Sequence, residues 1–383
     1  MKYKYLILGG GIAADQAVRG IRSIDASSPI GIISREPHPC YERPPLSKTL
    51  WTGAKEETIW CQTQSENVVF HLEESVIGLD PSNHLITTDH GSYTYEKLLV
   101  ATGVSPIHLK NDCDGVIYYH DLKDYYRLRE LYDRGERFLV VGAGYIGTEI
   151  AAALAMNGKR VTMVFRGSAI YQRRVPDDFA FFLNSYFTEK GIQLKPSQTV
   201  VAVERDQSLY HVTLSSGEII TVDGVVVGIG CTPNLGFASG LKLNDGVEVN
   251  AYLCSSDPDI YAAGDVANIY YPLVQRRLRI EHEDNAHTTG FIAGQNMAGA
   301  NLQYTHQPYF YSAMFELGYE AVGLMGQDFE MVQQWEDLFR KGTIYYCKDG
   351  RVCGAMLWGI WDELDRIREM IKEGVHPPVR APS

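Results

Sequence analysis

Two glycine-spaced stretches could hold a phosphate, and they are near copies of one another. Lys4-Tyr-Leu-Ile-Leu-Gly9-Gly-Gly11-Ile-Ala-Ala14-Asp is an apolar run that breaks at glycines and resumes in small residues. Arg137-Phe-Leu-Val-Val-Gly142-Ala-Gly144-Tyr145-Ile-Gly147-Thr-Glu149 repeats the pattern with all three glycines. In each, the first glycine permits a tight turn and the second lets backbone N–H groups approach a pyrophosphate. The third position, Ala14 or Gly147, lets helix and strand pack closely. A helix N-terminus then faces the anion. One such stretch is a weak signal, with an ordinary strand-to-helix turn as its alternative, whereas two in one chain point to two dinucleotide cradles.

The elements around these turns must present the rest of a site. Residues 29–34 read as a short second strand, whose end is where a carboxylate accepts from adenosine ribose hydroxyls. That end is Ser34-Arg35-Glu36, so Glu36 is the expected ribose ligand, the alternative being a solvated glutamate displaced by Arg35. The segment Pro39-Cys-Tyr-Glu-Arg43-Pro-Pro-Leu-Ser47-Lys48 places two prolines before a helix that Ser47 could help begin, with Arg43 and Lys48 flanking one rigid turn. Ala101-Thr102-Gly103 follows a strand over 97–100, and Tyr261-Ala-Ala-Gly264-Asp265 follows another. Both therefore sit at strand carboxyl ends, where open α/β sheets bind ligands. The small residues over 290–299 have helical spacing and suit close packing on a flat ligand, a sheet or another helix.

From Tyr309 the pattern changes to short β segments over 309–315, 319–323, 329–335, 343–347 and 352–358, with a hairpin turn at Asp349-Gly350. A last helix over 361–372 carries Leu364, Ile367 and Ile371 on one face and stops at Gly374. The tail over 376–383 is expected to be mobile.

With 383 residues, of which 45% are hydrophobic, the chain can form two or three domains, each with its own core. Its formal charge of −12 and the lack of any basic block argue against nucleic acid and anionic membranes as partners. No apolar run approaches the roughly 18 residues of a membrane span. Met1 runs straight into the first strand, leaving no room for a targeting peptide, so the expected location is cytoplasmic. Seven cysteines are scattered with no C-x-x-C or C-x-x-x-x-C spacing, and read as reduced thiols. Cys40 alone invites a second reading as a single-cysteine redox site, against a packed thiol. No metal is assigned, because His282 and His287 lack a ligand set of known zinc spacing.

The run Tyr41-Glu-Arg-Pro-Pro-Leu-Ser-Lys48 resembles the flavin-side segment of the ferredoxin/rubredoxin reductase and apoptosis-inducing-factor branch of two-dinucleotide flavoproteins. Ala101-Thr-Gly103, Gly228-Ile-Gly230-Cys-Thr-Pro-Asn234, Tyr261-Ala-Ala-Gly264-Asp265, Arg279-Ile-Glu281-His282 and Gly318-Tyr-Glu-Ala-Val-Gly323 follow in the same order. The last two resemble the apoptosis-inducing-factor side more. The resemblance implies an α/β, glutathione-reductase-like fold. Two Rossmann-like dinucleotide-binding domains, for FAD (1–112 and 242–307) and NAD(P)H (113–241), precede a small α+β C-terminal domain (308–383). It implies FAD on the first cradle and NAD(P)H on the second, with hydride transfer to the flavin. Lys48 and Glu149 would then pair beside the rings, with Glu281 and His282 near the flavin. Tyr145 and Tyr311 match aromatic positions that stack on nicotinamide and flavin. The bland alternatives stay open: a helix-first-turn charge for Glu149, a structural His282, a core Tyr311.

Two functions follow from the resemblance. One is an NAD(P)H oxidoreductase passing electrons to a small carrier such as ferredoxin or rubredoxin, to a quinone or to oxygen. The other is a slow redox sensor whose output is dimerisation or partner binding. As for the nicotinamide cofactor, the second cradle's second strand ends Phe165-Arg166, without the carboxylate that repels a 2′-phosphate. Apoptosis-inducing factor has a Glu shortly after that Phe, which has no counterpart here. Arg166, with Arg173 or Arg174, instead suits the phosphate of NADPH, giving NADPH or dual use.

Overall fold

The computed structural model describes residues 1–271 and 275–378, which fall into two compact units. The first takes Met1–Glu42, Glu56–Ser105 and Thr232–Pro308; the second takes Arg43–Lys55, Pro106–Cys231 and the chain from Tyr309. By compactness, then, the 43–55 segment and the C-terminal sheet go with 106–231. The expected mobile tail lies outside the described residues from 379 onward.

In the first unit the strand Lys2–Leu8 runs parallel to Ile30–Ile33 on one side and to Ser92–Val100 on the other. Val68–His71 and Ile260–Ala262 extend the parallel set outward. Leu6, Ile7, Leu98 and Leu99 are fully buried, as strands covered on both faces require. Leu8 lies opposite both Ile33 and Val100, and Val100 opposite Ala262, so four strands end level. Gly9, Ser34, Ala101 and Ala263 consequently share one edge.

The helix Ile12–Arg22 leaves that edge and packs along Glu283–Met297 at backbone contact. A Cβ at Gly290 would stand 2.4 Å from the Ala13 carbonyl oxygen, and one at Gly294 2.1 Å from that of Ala17. The small residues over 290–299 thus serve a helix–helix contact, which settles the three alternatives left by their spacing.

The second unit has its own parallel sheet, in the order Gln193–Pro196, Arg160–Phe165, Arg137–Val141, Gly224–Val227, Ile117–Tyr118. Val141 stands opposite Val164 and Val227, which brings Gly142, Phe165-Arg166 and Gly228 to one edge. A separate antiparallel sheet orders Tyr309–Met314, Leu317–Gly323, Arg351–Trp358, Lys341–Lys348, Glu330–Asp337. Asp349 and Gly350, at φ 51° and 73°, make its central hairpin turn. The helix Leu364–Glu373 buries Ile367 and Ile371 and ends at Gly374 with φ 64°.

The helix expected after Pro44-Pro45 is a correction. Pro44–Ser47 and Thr49–Trp51 are two 3₁₀ turns, separated by Lys48 at φ −124°, ψ −97°. Two adjacent prolines supply no N–H, and the Ser47 hydroxyl, which would have capped a helix, is committed to Glu149 at 2.6 Å.

Candidate functional site

At the first unit's edge Gly9 lies at φ +120°, where its Cβ would meet the Ala101 carbonyl oxygen at 2.1 Å. Only glycine fits. Gly11 caps the helix Ile12–Arg22, and nothing lies within 4 Å of where its Cβ would be, so that side of the turn is open. Ala14 is fully buried against the core, showing that a methyl is accommodated at the third position. Thr102 is clamped by Asn234: its hydroxyl donates to the Asn234 carbonyl at 2.9 Å, and Asn234 Nδ2 donates to its carbonyl at 2.8 Å. The Gly103 carbonyl accepts from Asn234 N–H at 3.0 Å. Gly264, at φ +70°, donates its N–H to Thr289 Oγ1 at 2.9 Å and starts the 3₁₀ turn that carries half-buried Asp265.

Glu36 accepts a hydrogen bond from the Tyr41 hydroxyl at 2.6 Å, while exposed Arg35 reaches Ser105 Oγ at 3.3 Å. Glu281 is ion-paired with Arg279, and His282 caps the helix Glu283–Met297.

The second unit's edge repeats the turn. Gly142 lies at φ +110°, its Cβ position 2.2 Å from the Gly228 carbonyl oxygen; Gly144 faces open space. Here the third position admits no methyl, since a Cβ on Gly147 would stand 2.2 Å from the Gly142 carbonyl oxygen. Gly230, at φ +115°, accepts from Ile107 N–H at 2.9 Å. Phe165 is buried and Arg166 exposed. Arg174 lays its guanidinium 4.4 Å over the Tyr145 ring and donates to that hydroxyl at 3.0 Å. Burial holds the Tyr145 phenol above its usual range.

Deeper in the second unit is a buried carboxylate. Glu149, with its side chain 3% exposed, accepts from Lys48 Nζ at 2.9 Å. Ser47 Oγ donates to the same Oε2 at 2.6 Å, and Ser312 Oγ to Oε1 at 2.6 Å. A carboxylate taken out of water needs such compensation, and here one ammonium and two hydroxyls provide it. Lys48 Nζ also lies 5.4 Å from the ring centre of Tyr311, which is 40% exposed. Arg43 donates to the His120 carbonyl at 3.2 Å. Ser312 escaped sequence reasoning, its only signal being adjacency to Tyr311, and Ser47 was read there as a helix start rather than as a donor to Glu149.

Both edges fit a dinucleotide pyrophosphate: a glycine turn closed against a carbonyl, a helix start whose N–H groups have no side-chain cap, and an open side. Residues 3–290 match the family described as pyridine nucleotide-disulphide oxidoreductase. The chain belongs to this family. As a pyridine nucleotide-disulphide oxidoreductase relative it is an FAD-dependent NAD(P)H oxidoreductase. Residues 293–337 match a second description, apoptosis-inducing factor, mitochondrion-associated, C-term. Mitochondrial apoptosis-inducing factor 1 of Dictyostelium discoideum is 30% identical over 418 residues, covering 97% of this chain and 78% of that one. The ferredoxin reductase subunit of 5,5'-dehydrodivanillate O-demethylase from Sphingobium sp. is 32% identical over 364 residues, covering 91% and 88%. A crystal structure of the covalent putidaredoxin reductase–putidaredoxin complex superposes at TM-score 0.91 with 23% identity, covering 98% and 94%, and shares the fold.

Despite the family's description, no disulfide is formed among the described residues of this oxidoreductase, which include all seven cysteines. Cys40 is 1% exposed and burial pushes its thiol up to about 12, which favours the packed-thiol alternative. Cys61 is also raised by burial. Where spacing gave no metal set, the fold brings Glu42, Glu283 and His287 together with donor atoms within 4.8 Å of one another; His287 and Glu283 form an ion pair at 3.6 Å. Among the described residues no helix is long and apolar enough to cross a membrane.

Proposed function

We propose that this protein oxidises NADPH, with NADH as a second donor, and passes the electrons singly to a small iron–sulfur carrier of the ferredoxin type. The observation that carries the reading is the buried pair of Lys48 with Glu149, the latter on the helix that starts at the second cradle, with no disulfide among the described residues. Without an internal disulfide to reduce, electrons must leave to an external acceptor. Bound FAD supplies the conversion between a two-electron hydride donor and a one-electron carrier. Gly9, Gly11, Ala14, Glu36, Arg43, Ala101, Thr102, Gly103, Gly264 and Asp265 hold FAD in this reading. Gly142, Gly144, Tyr145, Gly147, Arg166 and Gly230 hold the nicotinamide nucleotide. Lys48 and Glu149 orient the reacting rings, with Glu281, His282 and Tyr311 beside the flavin. The chain divides by role at 112, 241 and 307, although by compactness it forms two units. The relative named a ferredoxin reductase subunit supports the carrier, and seven cysteines with no disulfide among the described residues support a cytoplasmic location.

A second reading, slow turnover with dimerisation or partner binding as the output, is supported by the apoptosis-inducing-factor match over 293–337. Anaerobic stopped-flow reduction by each nucleotide, then reoxidation timed with ferredoxin, quinone and air, separates the two. Rapid reoxidation by ferredoxin is expected. A reduced enzyme that persists with every acceptor and sediments as a dimer favours the sensor.

A further inference from the structure

We infer that Ser312 is a positioning residue of the nicotinamide site, fixing the rotation of the Glu149 carboxylate that holds Lys48. The inference rests on the oxidoreductase reading above and concerns the same site. Its basis is how donors are divided over the two carboxylate oxygens. Lys48 Nζ and Ser47 Oγ both bond Oε2, at 2.9 and 2.6 Å, while Ser312 Oγ bonds Oε1 at 2.6 Å. Removing Ser47 leaves each oxygen with a donor. Removing Ser312 leaves Oε1 with none among the described residues, in a carboxylate 3% exposed.

An unsatisfied oxygen in so dry a place forces the carboxylate to turn or to take a proton, since lost donors to the charged form favour the neutral one. Either response loosens Lys48. Ser312 itself is 1% exposed and lies on the strand Tyr309–Met314, beside Tyr311, whose ring is 5.4 Å from the same ammonium. One strand thus reaches both members of the pair, Glu149 through Ser312 and Lys48 through Tyr311.

The test compares Ser312→Ala, Ser312→Thr and Ser47→Ala in the FAD-loaded protein, by anaerobic stopped-flow flavin reduction across the pH range. Ser312→Ala is expected to lower the limiting reduction rate about tenfold, leave the nucleotide dissociation constant within about twofold, and move the acid limb of the rate profile up by about one pH unit. Ser312→Thr, which keeps the hydroxyl, restores both, and Ser47→Ala shows the smaller loss. Wild-type rate and pH profile in Ser312→Ala overturn the inference. So does Ser312→Thr with FAD retained but impaired like Ser312→Ala, or a Ser47→Ala loss as large as that of Ser312→Ala. A wild-type flavin that neither nucleotide reduces overturns the oxidoreductase reading itself, and is recognised before any variant is compared.

Discussion

The two cradles share a glycine turn and differ in what surrounds it. In both, the first glycine is pressed against a carbonyl, at 2.1 Å for the Cβ position of Gly9 and 2.2 Å for that of Gly142. Beyond that residue they part. The first cradle tolerates a methyl at Ala14, and its helix is locked along Glu283–Met297 through Gly20, Gly290 and Gly294. The second requires Gly147, and Glu149 on its helix takes its donors, Lys48, Ser47 and Ser312, wholly from other segments, whereas Asp15 on the first helix is held by Arg19 one turn on and by Thr63. The first turn is thus backed by rigid packing, which suits a cofactor that stays. The second carries a carboxylate held only from outside its own helix, which suits a cofactor that must arrive, be aligned and leave.

The sharpest way to break this contrast is to remove the ion pair. Glu149→Ala or Lys48→Ala is expected to slow flavin reduction by roughly 10²-fold while FAD stays bound, because misalignment of reacting groups has a cost of that order. Limiting rate constants and the flavin absorbance of the purified variants report the two quantities separately. Loss of FAD in Lys48→Ala would assign the lysine a structural role in place of an orienting one.

The third positions give a smaller and more specific test. Gly147→Ala forces a methyl to 2.2 Å from the Gly142 carbonyl oxygen, so the helix start must shift. Nucleotide affinity should fall at least tenfold while FAD content is unchanged, as read by titration and by absorbance. Ala14→Gly, at the matching place in the first cradle, should alter neither, costing only about 1 kcal/mol of stability from helix propensity. Equal tolerance at both positions would erase the difference between the cradles.

Both glycine turns and the strands feeding them were legible because the chemistry is local: an apolar run, a glycine at positive φ and a small-residue helix are contiguous in sequence. The C-terminal strands were legible for the same reason, their hairpin being marked by Asp349-Gly350. What could not be read joins distant segments. Glu149 meets Ser47 and Ser312 only through folding; Ser312 has no pattern of its own, and the run that holds Ser47 marked it only as a helix start. The stripe at Gly290 and Gly294 was legible as close packing, but its partner, the helix Ile12–Arg22, was not. The 44–51 segment failed differently. Its prolines promised a helix start, and the residue that would have capped it was drawn to a buried carboxylate.

Nucleotide choice is the next smaller effect. Arg166 follows the strand Arg160–Phe165 directly and is exposed, while Arg174 is engaged with Tyr145. Arg166→Ala should therefore lower kcat/KM for NADPH about tenfold, the weight of one charge-assisted contact, and leave NADH unchanged. A strong NADH preference that the substitution does not touch would show that this arginine does not read the cofactor.

The smallest effect should come from the thiols, which neither cradle uses. Alkylation of the native protein should leave reduction by NAD(P)H intact, and Cys40→Ser should reduce at the wild-type rate. Cys40 also has a pH signature. Burial pushes its thiol up to about 12, above the roughly 8.5 of an exposed cysteine in the unfolded chain. Between those values the unfolded chain has released the proton and the folded one has not, so ν_U − ν_N is negative and stability falls as pH rises. The contribution is complete below about pH 8.5 and is lost progressively above it. Denaturant midpoints of wild type and Cys40→Ala, measured from neutral to alkaline pH, should therefore converge as pH increases. Parallel curves, or alkylation of Cys40 that abolishes turnover, would mean that the thiol is reachable as thiolate and would bring the single-cysteine redox reading back.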